Sequence, residues 1–156
     1  MLELKLQYDL FTILDLLVDK VLQTPDRDRD LDLDRRLSLR CADGYTVSVQ
    51  MGLFNYCSPR VSGLRSSEYT SAELGYPTEP DDLIDQYAED KLLPTESVYC
   101  KVPMYTVQKL FLKHGGLHPT ELIRLTKIQK QQQINSYRYY QTEEKNNRKQ
   151  SKDQND

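Results

Sequence analysis

Three cysteines (Cys41, Cys57, Cys100) and two histidines (His114, His118) hold the chain's soft nucleophiles and metal ligands. The most suggestive short string is Cys57-Ser58-Pro59-Arg60. A cation such as the Arg60 guanidinium stabilises a thiolate. A catalytic cysteine also needs a histidine and an orienting group in space, so Cys57, Arg60 and His114 define a candidate enzyme or ligand-sequestering site. The Cys-to-Arg spacing is too short for a phosphatase-type cradle of backbone N–H groups. A free cysteine is also among the most buried residue types, and burial is the reading favoured here. The His114-x₃-His118 spacing suits zinc, but no two cysteines lie close in sequence and Gly115-Gly116 between the histidines reads as a helix end. No metal and no cofactor are therefore expected. Walker, dinucleotide-glycine and serine-elbow motifs are absent. Asp81, Asp85 and Glu89 would share one face of a helix. Nothing in the sequence separates a general acid/base pair there from a solvated face, and the helix dipole alone accounts for Asp81-Asp82 in a first turn. The expectation is a protein that is not an enzyme.

Charge points elsewhere. The 156 residues carry 21 Lys+Arg against 24 Asp+Glu, a net charge of −3. Residues 120–156 hold eight bases and five acids, whereas residues 68–96 hold nine acids and the single base Lys91. That acidic block repels nucleic acid and steers toward a basic surface, with a range set by salt. The bland reading is a solvated loop that aids solubility. The sharper one is a docking face of Glu73, Glu79, Asp81, Asp82, Asp85, Glu89 and Asp90 with Tyr56, Tyr69, Tyr76 and Tyr87. Tyrosine offers large rigid area with a polar tip and is enriched at interfaces. The basic C-terminal segment, with Tyr137, Tyr139 and Tyr140 for stacking, gives an alternative as a nucleic-acid-binding accessory protein. Its interspersed acids make a weak footprint, so nucleic acid ranks below a protein partner.

Several elements must position these groups. Residues 2–23 read as an amphipathic helix: Leu10, Leu14, Leu17 and Val21 recur at helical spacing, and Phe11, Val18 and Leu22 widen the stripe. It packs on the core or pairs two copies into a homodimer, and it ends before Pro25. Residues 26–36, five Asp against four Arg, read as a linker. They lack the Gly and terminal Glu of a calcium loop. Leu37–Cys41 and Tyr45–Gln50 alternate apolar and polar residues around Asp43-Gly44, a hairpin signature. Residues 68–76 and 96–102 read as further strands, each ended by a proline, with a short helix over 80–90 between them. Residues 104–114 form a helix closed by Gly115-Gly116. A trailing helix begins near His118-Pro119, and its apolar signal fades after Ile134. Residues 141–156 are too polar to bury surface that would offset the entropy of ordering, so a frayed, disordered tail is expected.

The division is thus an N-terminal helix (1–25), a linker (26–36), an α+β core domain (37–118) built on a small, mainly antiparallel sheet covered by helices, and a C-terminal helix and tail (119–156). No run of about 18 apolar residues suggests a membrane span. The first residues lack a signal-peptide pattern, and three unpaired cysteines suit a reducing cytoplasm.

From Asp43 to Gly116 the order of short strings resembles small proteins of unknown function encoded in phages and prophages. The strings are Asp43-Gly44-Tyr45-Thr46-Val47-Ser48-Val49-Gln50, Tyr56-Cys57-Ser58-Pro59-Arg60, Glu73-Leu74-Gly75-Tyr76-Pro77, Tyr87-Ala88-Glu89-Asp90, Val98-Tyr99-Cys100-Lys101-Val102-Pro103 and Lys113-His114-Gly115-Gly116. The resemblance covers about half the chain and brings no assigned catalytic residue with it. It implies a phage accessory protein in a bacterial host cytoplasm, where proteins of this size often block a host factor such as a CRISPR effector. The leading expectation is a non-enzymatic inhibitor of a host defence protein, docking through an acidic, Tyr-bearing surface on a partner with a basic one.

Overall fold

The computed structural model describes residues 10–15 and 38–155. Residues 26–36, Leu37, most of the expected 2–23 helix and Asp156 fall outside that range.

Four strands form one antiparallel sheet in sequence order: β1 (Ser38–Arg40), β2 (Thr46–Gln50), β3 (Ser71–Gly75) and β4 (Val98–Pro103). The α+β expectation holds. The β1–β2 hairpin forms where the Asp-Gly pair places it. Gly44 sits at φ +96°, and the Asp43 carboxylate accepts the Tyr45 N–H at 2.9 Å. The inward residues Leu39, Cys41, Tyr45, Val47 and Val49 are buried, as the alternation requires.

Pro103 ends β4, and α1 (Met104–Lys113) follows directly. Val107, Leu110 and Phe111 carry its buried face into a common core with Leu74, Tyr99 and Val102 of the sheet. Each such side chain contributes roughly 1.5–3 kcal/mol by leaving water. Gly115 closes α1 at φ +85°, and a Cβ there would stand 3.2 Å from the Ala42 side chain. A glycine here lets the hairpin turn dock on the helix end: Ala42 N donates to Gly116 O (2.8 Å) and Asp43 N to His114 O (3.2 Å).

Residues 10–15 are helical, and Leu10, Ile13 and Leu14 are buried in this same core. Asp15 ties the segment to Ser66, whose N–H (2.8 Å) and hydroxyl (2.6 Å) both donate to its carboxylate. The described part of the N-terminal helix therefore packs on its own chain. Leu17, Val18, Val21 and Leu22, which would complete a homodimer seam, lie outside the described residues.

The last helix, α2 (Glu121–Asn155), runs 35 residues, past the end expected near 140 and through the segment expected to be disordered. The cause is local. No glycine or proline follows Pro119, and Gln, Lys, Arg and Glu lose little rotamer freedom in a helix. Burial is a separate matter: every described side chain from Lys130 to Gln154 is exposed. Among the described residues, no helix is long and apolar enough to cross a membrane.

Candidate functional site

The 22 residues between β3 and β4 contain most of the acidic block. They form no α-helix over 80–90. The chain makes a turn and a short 3-10 segment, Asp85–Tyr87, because Ala88 adopts extended backbone and bridges to Tyr99 while Glu89 N donates to Val98 O (2.9 Å). Thr78 pins the loop's start to β2, accepting from Thr46 N at 2.6 Å and donating its own N–H to Thr46 O at 2.9 Å. Ile84 and Ala88 anchor its middle in the core.

Asp81 is the strongest anchor and a correction to the docking face, since it is only 5% exposed. One carboxylate oxygen accepts from Leu83 N (2.9 Å) and Lys113 Nζ (3.1 Å), and the other meets His114 Nε2 at 2.8 Å. The second ring nitrogen of His114, Nδ1, lies 2.7 Å from the Asp43 carboxylate in the hairpin turn. Tyr45 stacks on the imidazole with centroids 3.9 Å apart. Two carboxylates at the two ring nitrogens are satisfied together only by an imidazolium that donates twice. Burial opposes that charge, but the hydrogen bonds to Asp43 and Asp81 outweigh it and raise the His114 pKa above its ordinary 6.5. Burial likewise opposes ionised Asp81, and the bonds from Leu83 N, His114 and Lys113 reverse it, lowering its pKa. The Asp43 pKa is lowered first by the Tyr45 N–H and then by His114. With both nitrogens occupied, this histidine has no lone pair to offer a substrate. It is a structural knot that joins hairpin turn, α1 and acidic loop.

A second buried carboxylate, Glu121, was not among the sequence candidates. It is 0% exposed and takes Arg124 in a fork, Nε to Oε1 at 2.8 Å and a terminal nitrogen to Oε2 at 2.7 Å, while Arg40 N donates to Oε2 at 3.0 Å. Arg124 also donates to Ser38 O (2.8 Å), and His118 N to Arg40 O (2.8 Å). The start of α2 thus satisfies the outer backbone groups of edge strand β1. On the opposite edge, β4 is covered by Ala88, Glu89 and the Lys101 N to Tyr56 O bond (2.9 Å). Among the described residues, both sheet edges are thus partly occupied by the chain's own groups.

The rest of the acidic loop faces water. Glu79, Asp82, Asp85, Glu89, Asp90 and Glu96 are all exposed. Between the last two stand Leu92, 91% exposed, and Leu93, 52% exposed. This tip is fixed from within. The Asp90 carboxylate accepts Leu92 N (2.9 Å) and Leu93 N (3.2 Å), Ser97 Oγ accepts Asp90 N (2.9 Å), and the buried Tyr99 hydroxyl donates to Pro94 O (2.7 Å). The sequence reading missed Leu92-Leu93; two apolar residues between acids were its only trace.

The tyrosines divide. Tyr76 is exposed and Tyr87 half-buried. Tyr69 is 2% exposed with its hydroxyl on Val61 O (2.6 Å), so it leaves the proposed face. Tyr56 is exposed under the Arg60 guanidinium (5.2 Å), and its N–H donates to Glu73 (2.8 Å). Glu73 lies on β3, and Tyr56 O also accepts from Lys101 N of β4.

The Cys57, Arg60, His114 constellation is not assembled. Cys57 is buried with its thiol near Gly52 O (3.3 Å) and Pro59 O (3.5 Å), Arg60 turns outward to Leu53 O (3.0 Å), and His114 is held in the knot. Burial, aided by Asp43 and Glu121, pushes the Cys41 thiol up to about 12. Burial, then Glu89 and Glu73, also raises that of Cys100. Neither is a ready nucleophile. Among the described residues no group of three His, Cys, Asp or Glu side chains could hold a metal ion.

No family model, no curated protein and no solved structure matches the chain.

Proposed function

We propose that this chain is a non-enzymatic binding protein, a phage-encoded inhibitor of a host defence protein, acting in the bacterial cytoplasm by docking its β3–β4 loop on a basic surface. One observation carries this reading: six exposed carboxylates share one loop with a leucine that is 91% exposed, and the inner side of that loop is locked into the domain. A fully solvated leucine forgoes roughly 1.5–3 kcal/mol of burial. Fixing it before contact lowers the ordering cost of association. The carboxylates then speed encounter with a positive partner and select against negative ones. The resemblance over residues 43–116 supports the phage setting.

The test is capture from a host lysate by wild type and by an Asp82→Lys, Asp85→Lys, Leu92→Ser variant. These side chains are exposed, so the variant is expected to fold normally and to lose the captured protein. Equal capture by both would overturn the proposal.

A further inference from the structure

The chain carries a second exposed surface whose chemistry complements the acidic tip. Beyond Leu125, which is buried, and Ile128, which is partly so, α2 leaves the domain. The 25 residues from Lys130 to Gln154 would extend about 37 Å at 1.5 Å per residue. On this stretch Lys130, Ile134, Tyr137, Arg138 and Gln141 recur at helical spacing and lie along one open face of the helix. Ile134 and Tyr137 are exposed apolar surface, and Lys130 and Arg138 flank them with positive charge. From Lys127 onward α2 shows seven exposed bases against three exposed acids, Glu143, Glu144 and Asp153. The β3–β4 loop shows the reverse, six exposed acids against Lys91.

We infer that a second copy of this chain covers this helix face, the Leu92-Leu93 tip and its flanking Glu89, Asp90 and Glu96 of one copy meeting Lys130, Ile134, Tyr137 and Arg138 of the other. The apolar pair meets apolar surface while the carboxylates reach the two bases. When each copy gives its tip and receives its partner's, the assembly closes as a dimer with two equivalent contacts. Pairing of α2 with α2 would set basic surface against basic surface. A nucleic-acid strand would leave Ile134 uncovered and meet the acids at 143, 144 and 153. The contact uses the acidic loop invoked above. It is measured on the purified chain without a host protein, so either conclusion stands if the other fails.

Sedimentation of the full, nuclease-treated chain across a salt series tests this. Wild type is expected to form a dimer at low salt that dissociates as salt rises. A Lys130→Glu, Arg138→Glu variant and a Glu89→Lys, Glu96→Lys variant should each self-associate about tenfold more weakly or worse, because each opposes like charges. Mixed in equal amounts, they restore opposite charges at both contacts and should form a heterodimer. Circular dichroism of each variant alone checks that the fold is intact. A wild type that stays monomeric at low salt, a loop variant that dimerises as well as wild type, or a mixture that fails to associate overturns the inference.

Discussion

Asp81 and Asp82 are adjacent in the chain and opposite in use. Asp81 is buried on His114 and Lys113, and Asp82 is exposed with its neighbours Asp85 and Glu89. The same contrast separates two regions of the molecule. In the interior, the His114 knot and the Glu121–Arg124 fork hold elements together, and every carboxylate there has several named partners. At the surface, the β3–β4 tip displays acids and leucines outward from a fixed backbone. A run of acidic residues is therefore not one functional object. Its buried members set where the loop sits, and its exposed members make up the surface the loop displays.

The sharpest break of that comparison is energetic. Glu121→Ala removes the acceptor of the Arg40 N–H at the sheet edge and the partner of the partly exposed Arg124 guanidinium, and leaving such a donor unsatisfied costs about 1–3 kcal/mol. Asp82→Ala should change stability by no more than about 0.5 kcal/mol, as surface substitutions do. Urea unfolding measures both. A Glu121 variant as stable as the Asp82 variant would mean that the fork does not secure α2 to β1.

The next effect is pH-dependent and separates knot from surface by sign. The His114 pKa is raised, so its imidazolium contributes stability that is fully present below the ordinary 6.5 and lost as pH rises through the folded value. The pKa values of Asp43 and Asp81 are lowered, so their contribution is present above the ordinary 3.8 and lost as pH falls through their folded values. Both are in force between 3.8 and 6.5. Urea midpoints against pH should therefore decline on the alkaline side in wild type, and His114→Gln should flatten that limb. On deprotonation the remaining ring proton should stay toward Asp81, which is buried, and the contact with half-exposed Asp43 should weaken first. An alkaline limb unchanged in His114→Gln would remove the knot from the account.

How far the sequence foretold these regions follows from the range of the forces involved. The hairpin, both later strands and α1 were readable because Asp43-Gly44, strand alternation, Pro103 and Gly115-Gly116 act within a few residues of themselves. Asp81 was misplaced because His114 lies 33 positions away, and Glu121 was passed over because Arg40 lies 81 positions away. No periodicity reports contacts of that span. Tyr69 failed for the same reason, since composition cannot tell a tyrosine whose hydroxyl finds a carbonyl indoors from one that stays wet. The C-terminal segment failed differently. Its polarity indicated correctly that it buries little, but an exposed side chain does not forbid a helical backbone.

That last distinction makes the smallest predicted effect informative. If residues 141–155 are helical without packing on the domain, removing them should leave the urea midpoint within about 0.5 kcal/mol of wild type, because every described side chain there is exposed. The far-UV helical signal should meanwhile fall by roughly fifteen residues' worth. A midpoint that drops with the truncation would show the end of α2 stabilising something beyond itself. The division into a structural interior and a displayed surface would then have to be redrawn to place this helix with the interior.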